Sequence, residues 1–442
     1  MMERDMTVGK PARIIRNFTI PIFIGNIFQQ LYSMVDTVIV GKFVGNEALA
    51  AVGACGTLMF LILGFLLGLT AGFTVITAQH YGAGNMRAVR QSVASAAVLA
   101  AVVSVLLTVV SMVMMRHVLN WMNTPSDMYG EAYGYIMVIC GGITAQVLYN
   151  LLAGILRAVG DSKRPLYFLI LAVILNIVLD LVFIIVFRMG AAGAAYATVI
   201  SQGVSGLLCL AYIVKRMPEL HPHREDWKVN KSLAKWQLKI GIPMALQFSI
   251  TAVGTIIVQS ALNMLGSVAV AGFAAANKIE QIVTQAYVAI GTTMATYCAQ
   301  NTGARKIERV RAGFRSATWI GIAYAVVTGI IVIAAGKYMT VLFVSDNVGQ
   351  ITEYVDIYLK CVGISFVPLV FVNVYRNGLQ GMGFGVLPML AGVAELVGRS
   401  AAAITASRFG SYAGICLASP AAWLLAGLLL IAMYFFIMKR KI

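Results

Sequence analysis

Long apolar stretches separated by short polar segments fill almost the whole chain. Twelve of them are close to, or longer than, the roughly 20 residues that an α-helix needs to cross a bilayer. They lie at about 14–41, 48–80, 90–115, 132–157, 165–187, 190–215, 238–264, 268–300, 312–343, 353–381, 386–408 and 411–438. The pattern predicts an all-α polytopic membrane protein with twelve transmembrane helices.

The sequence also contains an internal repeat. The segment at 20–22 (IPI) recurs at 242–244 (IPM), and residues 78–83 (AQHYGA) recur as residues 299–304 (AQNTGA). Four further residues recur 223 positions later: Asn150, Leu156, Gly160 and Pro165 as Asn373, Leu379, Gly383 and Pro388. We therefore expect an N-lobe at 1–216, a polar cytoplasmic linker at 217–237 and a C-lobe at 238–442. Because each copy holds six spans, a pseudo-two-fold axis along the membrane normal should relate the two lobes.

The charge distribution supports this topology. The chain is 60% hydrophobic, 11% charged and has a mean hydropathy of +0.85, with a net charge of +16. If the N-terminus is cytoplasmic, 24 of the 33 Lys and Arg residues fall at the cytoplasmic ends of the spans. Cytoplasmic loops of membrane proteins carry this excess. Both termini are thus predicted to be cytoplasmic, and nucleic acid is not an expected partner.

Four acidic residues lie inside the predicted spans: Asp36, Asp180, Glu280 and Glu395. Charges at this depth are costly and usually face a cavity or an ion pathway. Asn176 and Asp180 share one face of span five because they are four residues apart. If Asp36 of span one packs against that face, two carboxylates and an amide oxygen converge, and Thr198 of span six could add a hydroxyl.

Such a cluster suits two kinds of ion. Two carboxylates in a poorly solvated site hold a proton readily, while an all-oxygen ligand set also suits a hard cation such as Na⁺. The simpler interpretation is that each Asp only bonds to neighbouring helices. The second copy has Arg399 and Ala403 in place of Asn176 and Asp180, so these polar residues are not part of the repeated scaffold. This difference favours a functional role.

The second half carries charges of its own. Glu395 and Arg399 are four residues apart in span eleven, a spacing that favours an ion pair within the helix. Glu280 follows Lys278 in the outer half of span eight. Either acid could bind a cationic substrate, or each could simply be neutralised by a neighbouring base.

Glycine and proline positions suggest features of helix packing. Gly64, Gly68 and Gly72 form a row of small residues on one face of span two, which lets another helix approach closely. Pro21, Pro243 and Pro368 lie in or at the ends of spans, where proline either starts a helix or permits a bend.

Together these features resemble the multidrug and toxic compound extrusion (MATE) family over essentially the whole chain. The resemblance rests on the two six-span lobes and on four sequence features: Ile20-Pro21 with Asp36 and Gly41, the paired Gln79 and Gln300, Asn176 with Asp180, and Gly193 with Thr198. It implies an antiporter that expels organic cations and other amphiphiles in exchange for inward H⁺ or Na⁺, as its two lobes alternate between outward and inward states.

The resemblance also implies specific roles for residues. An ion-coupling cluster of prokaryotic members carries over to Asp36, Asn176, Asp180 and Thr198, and the segment around Glu280 resembles the place of a C-lobe acid. Further acids that some relatives have in spans seven and ten are absent, except for Glu353 and Asp356 near the outer end of span ten. We expect a monomer in a prokaryotic inner membrane, with no cofactor beyond the coupling ion.

Two other functions remain to be weighed. A flippase for lipid-linked precursors, built from related lobes, would need several basic residues around its cavity to hold a pyrophosphate. An intramembrane enzyme would need a nucleophile or metal motif, but the sequence shows no HExxH, no GxSxG and no clustered His or Cys ligands. The prediction is therefore a transporter rather than an enzyme.

Overall fold

The computed structural model describes residues 5–228, 230–342 and 348–440, and these residues form α-helices without any β-strand. The helices are α1 Pro11–Phe43, α2 Asn46–Gly82, α3 Met86–Trp121, α4 Ser126–Gly141, α5 Ile143–Ala158, α6 Lys163–Leu181, α7 Ala191–Arg216, α8 Lys231–Asn263, α9 Ser267–Gly303, α10 Ile307–Ala335, α11 Val348–Ile364, α12 Phe366–Gly381, α13 Val386–Arg408, α14 Tyr412–Cys416 and α15 Ala418–Arg440. A π-helical turn (Val182–Val186) and two 3₁₀ segments (Pro218–Leu220 and Gly336–Leu342) complete the list.

The helices account for the twelve predicted spans. Within the described ranges, eight helical segments are long and apolar enough to cross a membrane, and two bent pairs of helices meet the same criterion when each is taken as one span. The other two spans, α1 and α9, are 33 and 37 residues long but contain more polar residues. α14 and α15 together form the twelfth span, interrupted at Leu417.

Two further spans that the sequence predicts as continuous are also interrupted, with a pronounced bend. α4 and α5 meet at 46° around Gly142, and α11 and α12 meet at 51° around Ser365. No proline follows Gly142 within one helical turn, so proline is not the cause of the first break. Pro368 lies three residues after Ser365, and in a continuous helix its ring would clash with the carbonyl of Ile364, four residues earlier, so Pro368 favours the second break. Gly142 and Ser365 are 223 residues apart, so the bend belongs to the repeat.

The backbone confirms the repeat independently of residue identity. α2 and α9 begin and end 221 positions apart, and α5 and α12 begin and end 223 positions apart. Residues with positive φ also recur in pairs: Gly45 with Gly266, Gly84 with Arg305, Gly160 with Gly383 and Gly190 with Gly410. Each pair follows or precedes equivalent helices, so the two copies share their turns as well as their helices.

The chain separates into two compact units. The first contains Ile24–Phe248, and the second contains Met6–Phe23 with the chain from Ser249 onward. The boundaries therefore fall inside α1 and α8, whereas the repeat predicts a division at 217–237, and that division stays a prediction. In the first unit α5 packs against α2 and α7, and in the second α12 packs against α9 and α15, so equivalent helices make equivalent contacts.

The outer surface of the first unit is suited to lipid. α3 exposes Val102, Val105, Val109 and Val113, each more than half accessible, at the three- and four-residue spacing of one helix face. An exposed stripe of this kind would be unfavourable in water and is satisfied by hydrocarbon. The described chain is thus a multi-pass membrane protein.

Candidate functional site

The first unit brings together the four polar residues that the sequence predicts as an ion site. Asp36 comes from α1, Asn176 and Asp180 from α6, and Thr198 from α7, and all four side chains are buried. The carboxyl groups of Asp36 and Asp180 lie within hydrogen-bonding reach of each other. Asn176 Nδ2 donates to Thr198 Oγ1 at 3.5 Å, which joins α6 to α7.

Several buried oxygens at this site accept no hydrogen bond from the described residues. They are Asp36 Oδ1, Asn176 Oδ1, both carboxylate oxygens of Asp180, Ser201 Oγ and Gln202 Oε1. Most buried polar atoms in proteins have a partner, because an unpaired one costs about 1–3 kcal/mol. Two ionised carboxylates that face each other have only acceptor oxygens, so neither can donate a hydrogen bond to the other. A proton on one of them, or a bound cation, would supply the missing partner. The unpaired oxygens therefore mark a place for a proton, a cation or water.

The structure adds residues that the sequence prediction missed. A small cavity is lined by the additional residues Tyr32, Ser201 and Gln202. Its lining also includes the predicted Asn176 and Thr198, together with Leu169, Ala172 and Val173. The Tyr32 hydroxyl lies beside the Gln202 side chain. A signal was present in the sequence, since Tyr32 precedes Asp36 by one helical turn and residues 198, 201, 202 and 205 form a polar stripe at helical spacing.

A π-helical turn lies directly after the predicted ion site. α6 ends at Leu181, and Val182–Val186 continue it with wider turns, in which the Phe187 N–H donates to the Val182 carbonyl. Turns of this type interrupt the regular helix ladder and often occur at functional sites. Asp180 thus occupies the last regular turn of its helix, next to a backbone segment that is less tightly wound.

The second unit holds a different set of charges on the same scaffold. Glu395 of α13 accepts from Arg399 Nη2 at 2.7 Å and from Arg376 Nη2 of α12 at 2.6 Å. The predicted pair of Glu395 with Arg399 is confirmed, and Arg376 is an additional partner that sequence spacing did not reveal. The equivalent residues in the first unit are Ala153 for Arg376 and Ala172 for Glu395.

Glu280 is also in the second unit and has its own contacts. Its carboxylate accepts a hydrogen bond from the Tyr358 hydroxyl, and Asn277 Nδ2 donates to the same hydroxyl at 3.4 Å. Arg399 interacts electrostatically with Glu280, although no ion pair within 4.0 Å joins them among the described residues. Glu280 and Glu395 are therefore both influenced by Arg399 but are held by different partners.

Comparison with known proteins identifies the family. The MatE family profile matches twice, at residues 21–182 and 243–402, which are the two copies of the repeat. The chain belongs to the MatE family. It is therefore a membrane transporter of the multidrug-efflux class, and MatE proteins couple transport to ions rather than to an enzymatic cofactor.

Individual MatE relatives match most of the chain. The probable multidrug resistance protein YpnP of Bacillus subtilis is 31% identical over 86% of this chain and 84% of its own length. A second B. subtilis protein, the probable multidrug resistance protein YoeA, is 26% identical over 98% of this chain and 96% of its own. A crystal structure of MATE in complex with MaL6 superposes with a TM-score of 0.95, covers 100% of this chain and 99% of that chain, and is 22% identical, which shows the shared fold.

The MatE match explains the fold but leaves the two charge clusters to be interpreted. Both matched segments contain equivalent helices, yet only the first copy has the paired aspartates and only the second has the buried Arg–Glu–Arg group. Buried charge in a membrane protein is costly, and both clusters differ between otherwise equivalent halves. The two clusters are therefore the candidate functional residues of the two units.

Proposed function

We propose that this MatE protein exports organic cations and other small amphiphiles in exchange for H⁺ or Na⁺, which binds at Asp36, Asn176, Asp180 and Thr198. The observation that carries the proposal is the facing pair of buried carboxyl groups, surrounded by oxygens that lack donors. One bound proton or Na⁺ would provide the missing partner. Carboxylate, amide and hydroxyl oxygens are the ligands that a hard cation prefers.

The site suggests how ion binding alters the first unit. Without the ion, two negative charges close together repel each other across α1 and α6. A bound proton or Na⁺ removes this repulsion and lets Asp36 approach Asp180, so α1 packs differently against α6. The same charge change lowers the attraction for an organic cation, which is then released outside. Rocking of the two lobes returns the ion to the cytoplasmic side.

The driving force depends on the charge of the substrate. Exchange of one H⁺ or Na⁺ for one monovalent organic cation moves no net charge, so only the ion concentration gradient contributes, at about 1.4 kcal/mol per tenfold. Exchange for a substrate without net charge also uses the membrane potential, about 2.3 kcal/mol per 100 mV. Either contribution supports roughly a tenfold or larger substrate gradient.

The two acids of the second unit are proposed to act on the substrate in different ways. Glu280 is held by a neutral tyrosine hydroxyl, so its charge remains available to attract a cation. Glu395 already binds two guanidinium groups, and its charge is more than balanced by them. We assign attraction of cationic substrates to Glu280 and an organising role to Glu395.

A lipid-linked precursor flippase remains the alternative, and one observation favours it. Arg376 and Arg399 form a buried basic pair of the type that could hold a phosphate group. The buried acids of the first unit have no role in such a reaction. Failure to move any organic cation, together with intact folding, would favour the flippase.

The antiport proposal is tested by efflux of a fluorescent lipophilic cation from cells that lack their own pumps. Asp36→Asn and Asp180→Asn keep the side-chain shape but remove one charge each. At matched expression both should abolish efflux, whereas Glu308→Gln, which changes an 82% exposed acid, should leave efflux unchanged. The H⁺ gradient and the Na⁺ gradient are then collapsed in turn. Collapse of the gradient of the coupling ion should stop wild-type efflux and so identify that ion, whereas collapse of the other gradient should not. Wild-type efflux that persists in both aspartate variants would refute the proposal.

Localisation and assembly follow from the same proposal. We propose that the protein works as a monomer in a prokaryotic inner membrane, with both termini in the cytoplasm, as the distribution of Lys and Arg residues favours. Fusion of a reporter that is active only in the cytoplasm to either terminus should give signal in both cases. Signal from only one terminus would contradict an even number of spans.

A further inference from the structure

A row of polar and thiol side chains runs along one face of α7, away from the predicted ion site. Its members share that face because of their helical spacing, and all of them are buried: Thr198, Ser201, Gln202, Ser205 and Cys209. α7 ends at Arg216, on the side of the membrane that the distribution of Lys and Arg predicts to be cytoplasmic. The row therefore leads from the ion site toward the predicted cytoplasmic side.

The small cavity at the ion site extends in the same direction. On α6 its lining includes Leu169, which lies nearer the predicted cytoplasmic start of that helix than Asn176 does. On α7 the lining includes Ser201 and Gln202, which lie nearer the cytoplasmic end of that helix than Thr198 does. The next hydroxyl of the row is one helical turn further along α7.

The serine hydroxyls of this row lack their usual local partner. A serine inside a helix commonly donates to a carbonyl three or four residues earlier, as the Ser92 and Ser104 hydroxyls do. Ser201 Oγ and Ser205 Oγ have no hydrogen-bond partner among the described residues, and the two side chains are buried. Unpaired buried polar atoms next to a cavity are typical of sites where water binds. The row therefore has the chemistry of a hydrated passage.

The second unit carries apolar residues at the same places of the same scaffold. Gly206 of α7 packs against α5 at residues 148–149, and Gly427 of α15 packs against α12 at residues 371–372, so the two helix pairs are equivalent. Four buried apolar residues of α15 replace the row from Ser201 onward: Ala422, Trp423, Ala426 and Leu430. Packing of the repeat does not require polar groups there, which favours a function for those of the first unit.

The row is closed near its predicted cytoplasmic end. A Cβ added at Gly206 would lie 3.1 Å from the Tyr149 backbone nitrogen, so α5 and α7 are in close contact at this level. Tyr149 and Arg157 of α5 interact electrostatically with Cys209, the last member of the row. A fixed positive charge beside a narrow passage opposes free flow of cations. Closure in one state is what an antiporter requires, because a permanently open passage would dissipate the ion gradient.

We propose that Ser201, Gln202 and Ser205 line the inner passage through which the coupling ion leaves the Asp36–Asp180 site for the cytoplasm, and that bound water fills this passage. Hydroxyl and amide groups both donate and accept hydrogen bonds, so they can hold a chain of water that solvates a moving H⁺ or Na⁺. This inference rests on the proposed antiport and adds the route by which the ion is released.

Cysteine labelling tests the water in the passage. A thiol reacts with methyl methanethiosulfonate as its thiolate, which water stabilises and an apolar environment does not. Ser201→Cys and Ser205→Cys are compared with Ala422→Cys and Ala426→Cys, the equivalent positions of the second unit, where the native side chains are as deeply buried. The purified full-length proteins are labelled in detergent without an ion gradient, and mass spectrometry that resolves each site gives its rate.

The two serine positions should be labelled faster than their controls. A dry buried thiol reacts only when the fold opens locally, so we expect a difference of at least about tenfold within each pair. Labelling at position 201 alone would confine the water to the ion site and overturn the passage. Equal rates within both pairs would overturn it as well.

Ion movement in liposomes tests the role of the passage. Ser201→Ala combined with Ser205→Ala gives the first unit the residues of the second and adds no bulk. This double variant should slow substrate-driven ion movement about tenfold, the effect of losing one hydrogen bond along the route. Ser104→Ala, which removes a buried hydroxyl from α3, should leave the rate unchanged.

Failure of the passage is distinguishable from failure of antiport. If Asp36→Asn and Asp180→Asn stop ion movement but the double serine variant moves ions as fast as wild type, the passage is wrong and the antiport stands. Fast labelling at both serine positions, together with no ion movement in the wild type, would refute the antiport and uphold the hydrated row.

Discussion

The glycine row of α2 gives a stability prediction that the structure makes quantitative. A Cβ at Gly72 would lie 2.3 Å from Gly241 Cα and 2.7 Å from Gly241 N, both backbone atoms of α8 in the same unit. Carbon atoms pack at about 3.5–4.0 Å, so Gly72→Ala requires the two helices to separate by roughly 1.2 Å. Overpacking of this kind typically costs about 1–3 kcal/mol.

Two other glycines of α2 serve as matched controls. At Gly64 the nearest atom is Phe248 Cβ at 3.1 Å, so a shift of a few tenths of an ångström is enough, and at Gly56 nothing lies within 4 Å. Alanine is up to about 1 kcal/mol more favourable than glycine within a helix. We therefore expect Gly56→Ala to be neutral or stabilising, Gly64→Ala to lie in between, and Gly72→Ala to be the least stable.

The assay is thermal unfolding of the purified variants in detergent, followed by fluorescence-detected size exclusion at one heating rate. A common rate is needed because membrane proteins unfold irreversibly and the apparent midpoint depends on the scan. A Gly72→Ala protein as stable as Gly56→Ala would show that α2 and α8 are not packed as closely as the structure has them.

Two further predictions concern contacts on polar segments of the chain. Gln237 is fully buried, accepts a hydrogen bond from Ser95 Oγ at 2.7 Å and donates one to the Ser92 carbonyl. Gln237→Ala should therefore reduce the free energy of unfolding by about 1–3 kcal/mol and lower the thermal unfolding midpoint. An unchanged midpoint would contradict this. Arg309 donates to the backbone carbonyls of residues 6 and 9, so Arg309→Ala should release the segment ahead of α1 and speed amide hydrogen exchange at residues 6–9, as followed by mass spectrometry. An unaltered exchange rate would show that this anchor is dispensable.

Local sequence patterns predicted the helices and the contacts made within them. The spacing of Asn176 and Asp180, and of Glu395 and Arg399, places each pair on one helix face, because the period of an α-helix is known in advance. The repeat likewise predicts equivalent helices in the two halves, which the paired positive-φ residues confirm.

Contacts between helices were predicted only in part. The approach of Asp36 to Asp180 was expected as a condition on how α1 packs, and the structure supplies that packing. The bond between Arg376 and Glu395 was missed because it joins different helices and no local period relates the two residues. The breaks at Gly142 and Ser365 were missed because the apolar pattern continues through both. Pro368, three residues after Ser365, was a local signal for the second break, but the sequence alone left open whether it starts a helix or permits a bend.

The central claim is that substrate and ion exchange through the Asp36–Asp180 site, and counterflow in liposomes tests it most directly. Purified protein is reconstituted without an ion gradient, an organic cation is added outside, and internal pH and Na⁺ are recorded. We predict that entry of the cation drives H⁺ or Na⁺ out, and that Asp36→Asn and Asp180→Asn abolish this movement while Glu308→Gln does not. Entry of the cation without opposite ion movement, or ion movement that persists in Asp180→Asn, would contradict the account.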